Sequence, residues 1–290
     1  MLTPEYSQKQ PEGCIFNASP NTLESLVITF YYPDEDTVFR HSPYQNGLPR
    51  YQLLQFDVLE GLARNSNLLP ALQSLQISAW SALTDDLYDE APFKRIVESL
   101  RDLRFNVQDT DNSDDDDHTV DDFWANIIGR RVLQPAVNLT SLAMGSNIEY
   151  ASLIRINLGP ITFPCLTSLS LSNIAWDDTR LDPQCSTLAA EEFIVRHGTT
   201  LKKLELESCK ITIPHTRSTP VRSWTAVWNR FADQLTELVD LNVGYAFYER
   251  YVQYSPGFGF SAPPTFLIPG TEQDNPTLEA LTAIVMGRRG

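Results

Sequence analysis

The sequence predicts an α/β fold built by repetition, with short parallel strands along one side, return helices along the other and one continuous core between them. Three observations predict it. Leucine supplies 35 of the 290 residues. A hexad of the form L-x-x-L-x-L, with Ile, Val, Met or Phe allowed last, recurs seven times. The segments between hexads carry apolar residues at helical rather than alternating spacing.

The hexads run Leu23–Ile28, Leu72–Ile77, Leu100–Phe105, Leu139–Met144, Leu166–Leu171, Leu201–Leu206 and Leu238–Val243. Four share the seed Leu-[Thr/Gln/Glu]-Ser-Leu, and two extend to a longer pattern ending in Asn or Cys, Leu139–Asn147 and Leu201–Cys209. Their first leucines are 49, 28, 39, 27, 35 and 37 residues apart. A leucine-rich strand-plus-helix unit takes about 20–29 residues, so the longer spacings predict insertions at the outer edges of the stack. The return helices are expected at Asp57–Arg64, with Val58, Leu59 and Leu62 on one side, and at Phe93–Leu100, with Phe93, Ile96, Val97 and Leu100. Phe123–Leu133 repeats the pattern with Phe123, Ile127, Ile128 and Val132, as do Leu188–Arg196 and Trp224–Leu235. Thr119-Val-Asp-Asp122 offers the third of these a capping box, with acid at the positive end of the helix. Leu278-Glu-Ala-Leu281 reads as a degenerate eighth hexad.

In each hexad, positions one, four and six point inward and a neighbouring repeat covers them. Parallel strands about 4.8 Å apart then form a ladder, seven of them spanning about 30 Å. Helices are wider than strands, so the stack is expected to curve into a leucine-rich-repeat solenoid, an arc with a concave parallel β-sheet and outer helices. Residues 1–22 form an N-terminal extension, 23–244 the repeats with an acidic insertion at 109–122, and 245–290 an aromatic C-terminal segment. Tyr245, Phe247, Tyr248, Tyr251, Tyr254, Phe258 and Phe260 suit a binding platform, but a solenoid needs its last open core covered, and capping is the simpler reading. Pro263-Pro264 and Pro269-Gly270 mark an irregular loop before the last segment.

Charge excludes several functions. Asp and Glu number 37 against 22 Lys and Arg, a formal charge of −15. Binding to phosphate backbones or anionic membranes needs dense cationic surface, so neither nucleic acid nor membrane is an expected partner. No apolar run approaches the roughly 18 residues of a membrane span, and Met1–Gln10 is too polar for a secretory leader. Cys14, Cys165, Cys185 and Cys209 form no CxxC pair, which points to an intracellular setting, cytoplasmic or nuclear. Cys165 and Cys209 fall where a repeat takes a small hydrophobe and are expected in the core.

The insertion Asp109–Asp122 holds eight aspartates. It fails the calcium-loop pattern, which needs Gly at position six and Glu at twelve, where Asp114 and Val120 stand. Ser113 lies in an acidophilic-kinase-like context. Self-repelling charge cannot bury itself, so the segment is read as a solvated, disordered loop. His41, His118, His197 and His215 have no metal or catalytic spacing, and no nucleophile or phosphate-loop motif occurs. Gly257-Phe-Gly259 opens no dinucleotide site, since Pro263-Pro264 stands where a helix should begin. His197 is expected as a cationic helix end before Gly198. Asn17-Ala-Ser19 and Asn138-Leu-Thr140 match a glycosylation sequon by pattern alone. The chain is expected to be non-enzymatic, with no cofactor and no metal.

Outward positions define the candidate binding face. Position three gives Ser25, Ser74, Asp102, Ser141, Ser168, Lys203 and Asp240; position five gives Val27, Gln76, Arg104, Ala143, Ser170, Glu205 and Asn242. The partner-binding candidates among them are Ser74, Gln76, Asp102, Arg104, Ser141, Ser168, Ser170, Lys203, Glu205, Asp240 and Asn242. Small and polar with scattered charge, this surface suits recognition of a protein or peptide.

Two stretches carry a resemblance. Phe163-Pro-Cys-Leu-Thr-Ser-Leu-Ser-Leu-Ser-Asn-Ile174 is followed by Ala190-Glu-Glu-Phe-Ile-Val-Arg-His-Gly-Thr-Thr-Leu-Lys-Lys-Leu-Glu-Leu-Glu-Ser-Cys-Lys-Ile211, with Trp224–Gly244 as the next unit. This progression, across roughly residues 20–285, resembles the leucine-rich substrate-receptor region of fungal F-box proteins. The resemblance implies repeats that hold a protein substrate for a cullin ubiquitin ligase. The residues before Leu23 are fewer than the about 40–50 of an adaptor-binding helical domain, so a Skp-type adaptor and a cullin are expected only where an F-box is supplied. The alternative is a repeat-only scaffold or regulator.

Overall fold

The computed structural model describes residues 22–30, 44–45, 48–108, 123–146, 158–159, 161–174, 176, 189–214, 222–244, 250–255, 259–261 and 271–289. It is a mixed α/β structure organised by one parallel sheet. The hexads supply its seven strands: β1 (Ser25–Thr29), then, beyond a hairpin of β2 (Tyr44–Gln45) and β3 (Leu48–Pro49), β4 (Ser74–Ser81), β5 (Asp102–Gln108), β6 (Ser141–Ser146), β7 (Ser168–Ser172), β8 (Lys203–Glu207) and β10 (Asp240–Gly244). They lie side by side in chain order. Leu26, Leu75, Leu103, Leu142, Leu169, Leu204 and Leu241 form one row across the sheet.

A recurring backbone device holds this register. The carbonyl of Glu24, the residue before β1, accepts the N–H groups of both Gln73 (2.9 Å) and Ser74 (3.0 Å). The carbonyls of Gln73, Arg101, Thr140, Thr167 and Lys202 repeat the arrangement toward each following strand. Each of these carbonyls thereby accepts two N–H groups, which fixes neighbouring strands residue for residue. The inward rows then close: Leu100, Leu139, Leu166 and Leu201 are fully buried, as are Leu169, Leu171, Leu204 and Leu206. Burying each such side chain contributes about 1.5–3 kcal/mol. On the outermost strands Leu26, Ile28, Leu241 and Val243 are half-buried, because a neighbouring strand lies on one side only.

Beyond three hexads the chain turns through a left-handed residue at the same position, Ala79 (φ 55°), Asn173 (φ 55°) and Ser208 (φ 51°). A non-glycine residue there costs about 1–3 kcal/mol unless its surroundings hold it. Here the Ala79 N–H donates to Asn106 Oδ1 (2.7 Å), Asn173 Nδ2 donates to the Ser146 carbonyl (2.7 Å), and the Ser208 N–H donates to the Gly244 carbonyl (2.9 Å). The turn redirects the next residue inward, so Trp80, Ile174 and Cys209 are buried.

The helices lie on the buried side of the sheet. The first, α1 (Arg50–Arg64), starts seven residues before the expected Asp57. Its buried face includes Gln55, a polar residue that hides the apolar period. The Gln55 amide accepts from the Ser81 N–H (2.7 Å) and donates to the Ser81 carbonyl (3.2 Å), joining α1 to the end of β4. Next comes α2 (Ala91–Ser99), near its expected bounds. Phe123–Leu133 is a helix over the expected bounds, wound as a π-helix. Phe123, Ile127, Ile128 and Val132 recur at steps of four and five, which suit i→i+5 winding better than a period of about 3.6. The wider turn continues to Gln134, whose N–H donates to the Gly129 carbonyl (3.0 Å). The capping box at Thr119–Asp122 and the acidic insertion at 109–122 lie outside the described residues.

The helices α3 (Ala189–Arg196) and α4 (Trp224–Gln234) are joined by an ion cluster, in which fully buried Glu191 binds half-buried Arg222 and Arg230. Burial raises the Glu191 carboxyl above its ordinary range despite both arginines. Gly198 sits where the chain leaving α3 meets the end of α4, and a Cβ there would stand 2.3 Å from the Gln234 carbonyl oxygen.

His197 follows α3 and precedes Gly198 as expected, but it is not the cationic helix end that the sequence suggested. It is buried, and its ring bridges two backbones: Nε2 accepts from the Phe163 N–H (2.9 Å) and Nδ1 lies 2.7 Å from the Phe193 carbonyl. Accepting at Nε2 and donating at Nδ1 requires the neutral ring. Burial and, secondarily, nearby Arg196 lower its pKa from 6.5, against the opposing Phe193 bond. A depressed histidine contributes stability in full above pH 6.5 and loses it as pH falls through the folded-state value. Urea unfolding of the wild type is therefore expected to weaken below about pH 6.5 more steeply than that of His197→Gln, which cannot titrate there. Parallel pH profiles would refute the assignment.

Cys165 also departs from expectation. It is exposed, because it lies in the turn before Leu166 and outside the inward positions of the hexad. Cys209 is in the core as expected; burial pushes its thiol up to about 12, and Sγ donates to the Leu171 carbonyl (3.4 Å).

At the C-terminal end, β9 (Ile211–Pro214), β11 (Tyr251–Ser255) and β12 (Gly259–Ser261) form a small sheet, β11 parallel to β9 and antiparallel to β12. Tyr251 is buried, while Tyr254 and Phe260 are placed on β11 and β12. Tyr245, Phe247, Tyr248 and Phe258 lie outside the described residues, as do Pro263, Pro264, Pro269 and Gly270. Leu278–Leu281 is not a strand hexad but part of α5 (Asp274–Gly287). The same L-x-x-L spacing is an i,i+3 step on a helix: half-buried Leu278 packs against the core beside buried Leu281, and Val285 follows four residues on. Arg288 ties the end of α5 to α4 by donating to the Ala232 carbonyl (3.3 Å) and to that of Leu235. Among the described residues no helix is long and apolar enough to cross a membrane.

Candidate functional site: the outward sheet face

The shared register turns separate hexad positions into a surface. Ser25, Ser74, Asp102, Ser141, Ser168, Lys203 and Asp240 align in one row. Val27, Gln76, Arg104, Ala143, Ser170, Glu205 and Asn242 align in the next. All the sequence candidates therefore fall on one face, the side of the sheet opposite the leucine rows.

Their polar contacts run mostly along or between adjacent strands. Arg104 Nε donates to the Asp102 carboxylate (3.2 and 3.3 Å), which also accepts from Ser74 Oγ (3.3 Å). Asn242 Nδ2 donates to Glu205 Oε1 (3.1 Å), and Asp240 pairs with Arg289 beyond α5. Lys203 is exposed and makes no ion pair among the described residues. Exposed pairs of this kind contribute about 0–1 kcal/mol to folding, so most of this charge is available to a partner at little cost.

A third outward row was missed by the sequence reading, which stopped at hexad position six. On β5 to β10 it contains Asn106, Gly145, Ser172, Glu207 and Gly244 in register. With the second row it borders a depression of about 590 Å³. Ala143, Gly145, Ser170 and Ser172 make a floor of small side chains, with Arg104 and Asn106 on one side and Glu207 and Lys210 on the other. Gly145 is required for this closeness: a Cβ there would lie 2.7 Å from Ser172 Cβ and 2.8 Å from its carbonyl oxygen. The available signal was the longer form of the repeat, running past the sixth position to Asn147 or Cys209.

No protein-family model, curated protein or solved structure matches the chain. The chemistry of the face therefore rests on its own residues. Among the described residues no three His, Cys, Asp or Glu side chains are grouped so as to hold a metal ion. The outward rows instead present hydroxyls, amides and separated charges of both signs over a sunken floor, an arrangement that can hydrogen-bond and ion-pair with a polar surface or an extended segment.

Proposed function

We propose that this chain is a non-enzymatic protein-recognition module, a leucine-rich-repeat solenoid whose outward sheet face is the concave receptor surface. The observation that carries the reading is the alignment of polar positions three and five into continuous rows beside the small-residue depression. A surface generated by repetition across many strands offers a partner distributed contacts, and its charged rim supplies orientation and specificity. The resemblance of Phe163–Ile174 and Ala190–Ile211 to fungal F-box receptors supports the finer assignment, a substrate-receptor region of a cullin ubiquitin ligase.

The test is affinity purification of the tagged chain from fungal cells with quantitative mass spectrometry, followed by binding measurements on the partners found. Replacing Arg104, Lys203 and Glu205 together with alanine is expected to weaken binding at least tenfold, or about 1.4 kcal/mol, while the unfolding midpoint stays near wild type. Unchanged affinity for every partner would remove this face from the proposal. Co-enrichment of a Skp-type adaptor and a cullin supports the ligase assignment; other reproducible partners without them support a repeat-only scaffold.

A further inference from the structure

A second cavity, of about 570 Å³, opens on the helical side, where the 3-10 turn Asp86–Asp89, α2 and the π-helix meet. Among the described residues, Lys94, Arg130 and Arg131 line it against a single carboxylate, Asp89. That is an excess of two positive charges in a chain whose formal charge is −15. Asp89 orients two of the cations, lying 2.8 Å from Arg131 Nη2 and 3.6 Å from Lys94 Nζ. Arg131 Nη1 also donates to the Asp85 carbonyl (3.4 Å). Arg130 is exposed and has no hydrogen bond or ion pair among the described residues.

Helix winding explains how consecutive arginines share one cavity with Asn126. In an α-helix of about 3.6 residues per turn, the residue at i+5 points roughly 140° away from residue i. With i→i+5 winding, residues i+4 and i+5 instead flank the line through residue i. Arg130 and Arg131 therefore sit on either side of Asn126 and face the same space. Two guanidinium forks and an ammonium match the planar oxygen edges and concentrated charge of phosphoryl groups.

We propose that this cavity binds a small-molecule anion carrying two or more phosphoryl groups. Its volume falls within the about 300–1,000 Å³ of small-ligand sites and exceeds the needs of one phosphate. The two excess positive charges require at least two negative charges for neutrality. This site is separate from the outward sheet face and does not depend on the recognition role.

Calorimetric titration of the purified full chain with pyrophosphate, with inorganic phosphate as comparison, tests it. Saturable one-to-one pyrophosphate binding is expected, at least tenfold tighter than phosphate and weakening as salt rises. Arg130→Gln, which removes the unpaired cation, is expected to lower the affinity at least tenfold without moving the unfolding midpoint; Lys94→Gln provides a second variant. Absence of saturable binding up to about 10 mM overturns the proposal, as does affinity unchanged in both variants. Equal affinity for phosphate and pyrophosphate overturns the assignment of more than one phosphoryl group.

Discussion

Replacing Asp274 with alanine is expected to destabilise the protein by about 3–5 kcal/mol, because its carboxylate holds the C-terminal helix to the rest of the fold. Asp274 is 3% exposed and accepts three hydrogen bonds, from the Thr225 N–H (2.7 Å), the Thr225 hydroxyl (2.7 Å) and the Tyr251 hydroxyl (2.6 Å). The Tyr251 oxygen in turn accepts from the Trp224 N–H (3.0 Å). One side chain thus joins the start of α5, the first turn of α4 and strand β11. Alanine would leave two donors of Thr225 and the Tyr251 hydroxyl without their charged acceptor, each costing about 1–3 kcal/mol where water cannot reach. Tyr251→Phe removes one link and is expected to cost less, about 1–2 kcal/mol. The double variant should fall short of the sum, since both changes break the same network. Denaturant unfolding checks this through the midpoint and slope. A wild-type midpoint for Asp274→Ala would mean that α5 contributes little to the cooperative core.

Leu169→Ala is expected to cost about 2–5 kcal/mol, while Ser170→Ala, its immediate neighbour, is expected to stay within about 0.5 kcal/mol. The contrast follows from the alternation of a strand. Leu169 is fully buried on β7, between Leu142 and Leu204 in the inward row. Removing its side chain leaves a void that packed neighbours on both sides refill only in part. Ser170 points outward between Ala143 and Glu205, where losing one hydroxyl exposes no unsatisfied partner. Equal effects from the two substitutions, measured by urea unfolding, would contradict the assignment of faces. Because Ser170 lies on the candidate face, its variant is also suited to measuring binding in a protein of undiminished stability.

The strands and their faces were legible because a strand couples sequence position to direction at every second residue. Leucines at hexad positions four and six therefore name the inward rows, and the residues between them name Ser74, Arg104, Lys203 and Glu205 as outward. Helical segments were legible where their buried face is wholly apolar, as in α2 and α4. The start of α1 was hidden because Gln55 is buried, and its two bonds to Ser81 help make that burial tolerable. Leu278–Leu281 misled because the spacing L-x-x-L fits a strand hexad and a helix equally well. Glu207 and Asn106 were missed on the candidate face because they lie beyond the sixth position, where a left-handed turn at some repeats determines how far each strand continues.

By itself, then, the sequence determined the mixed α/β class, the seven strands, the identity of their buried rows and the two outward rows that make a candidate surface. Each of these depends on periodicity along one segment, which local sequence carries in full. Only the tertiary structure decided the neutral state of His197, the exposure of Cys165, the anchoring of α5 through Asp274 and the meeting of Lys94 with Arg130 and Arg131 in one cavity. Those features depend on groups brought together from distant segments. Hydrogen-bond partners and desolvation arise from that meeting, and no residue's own spacing encodes them.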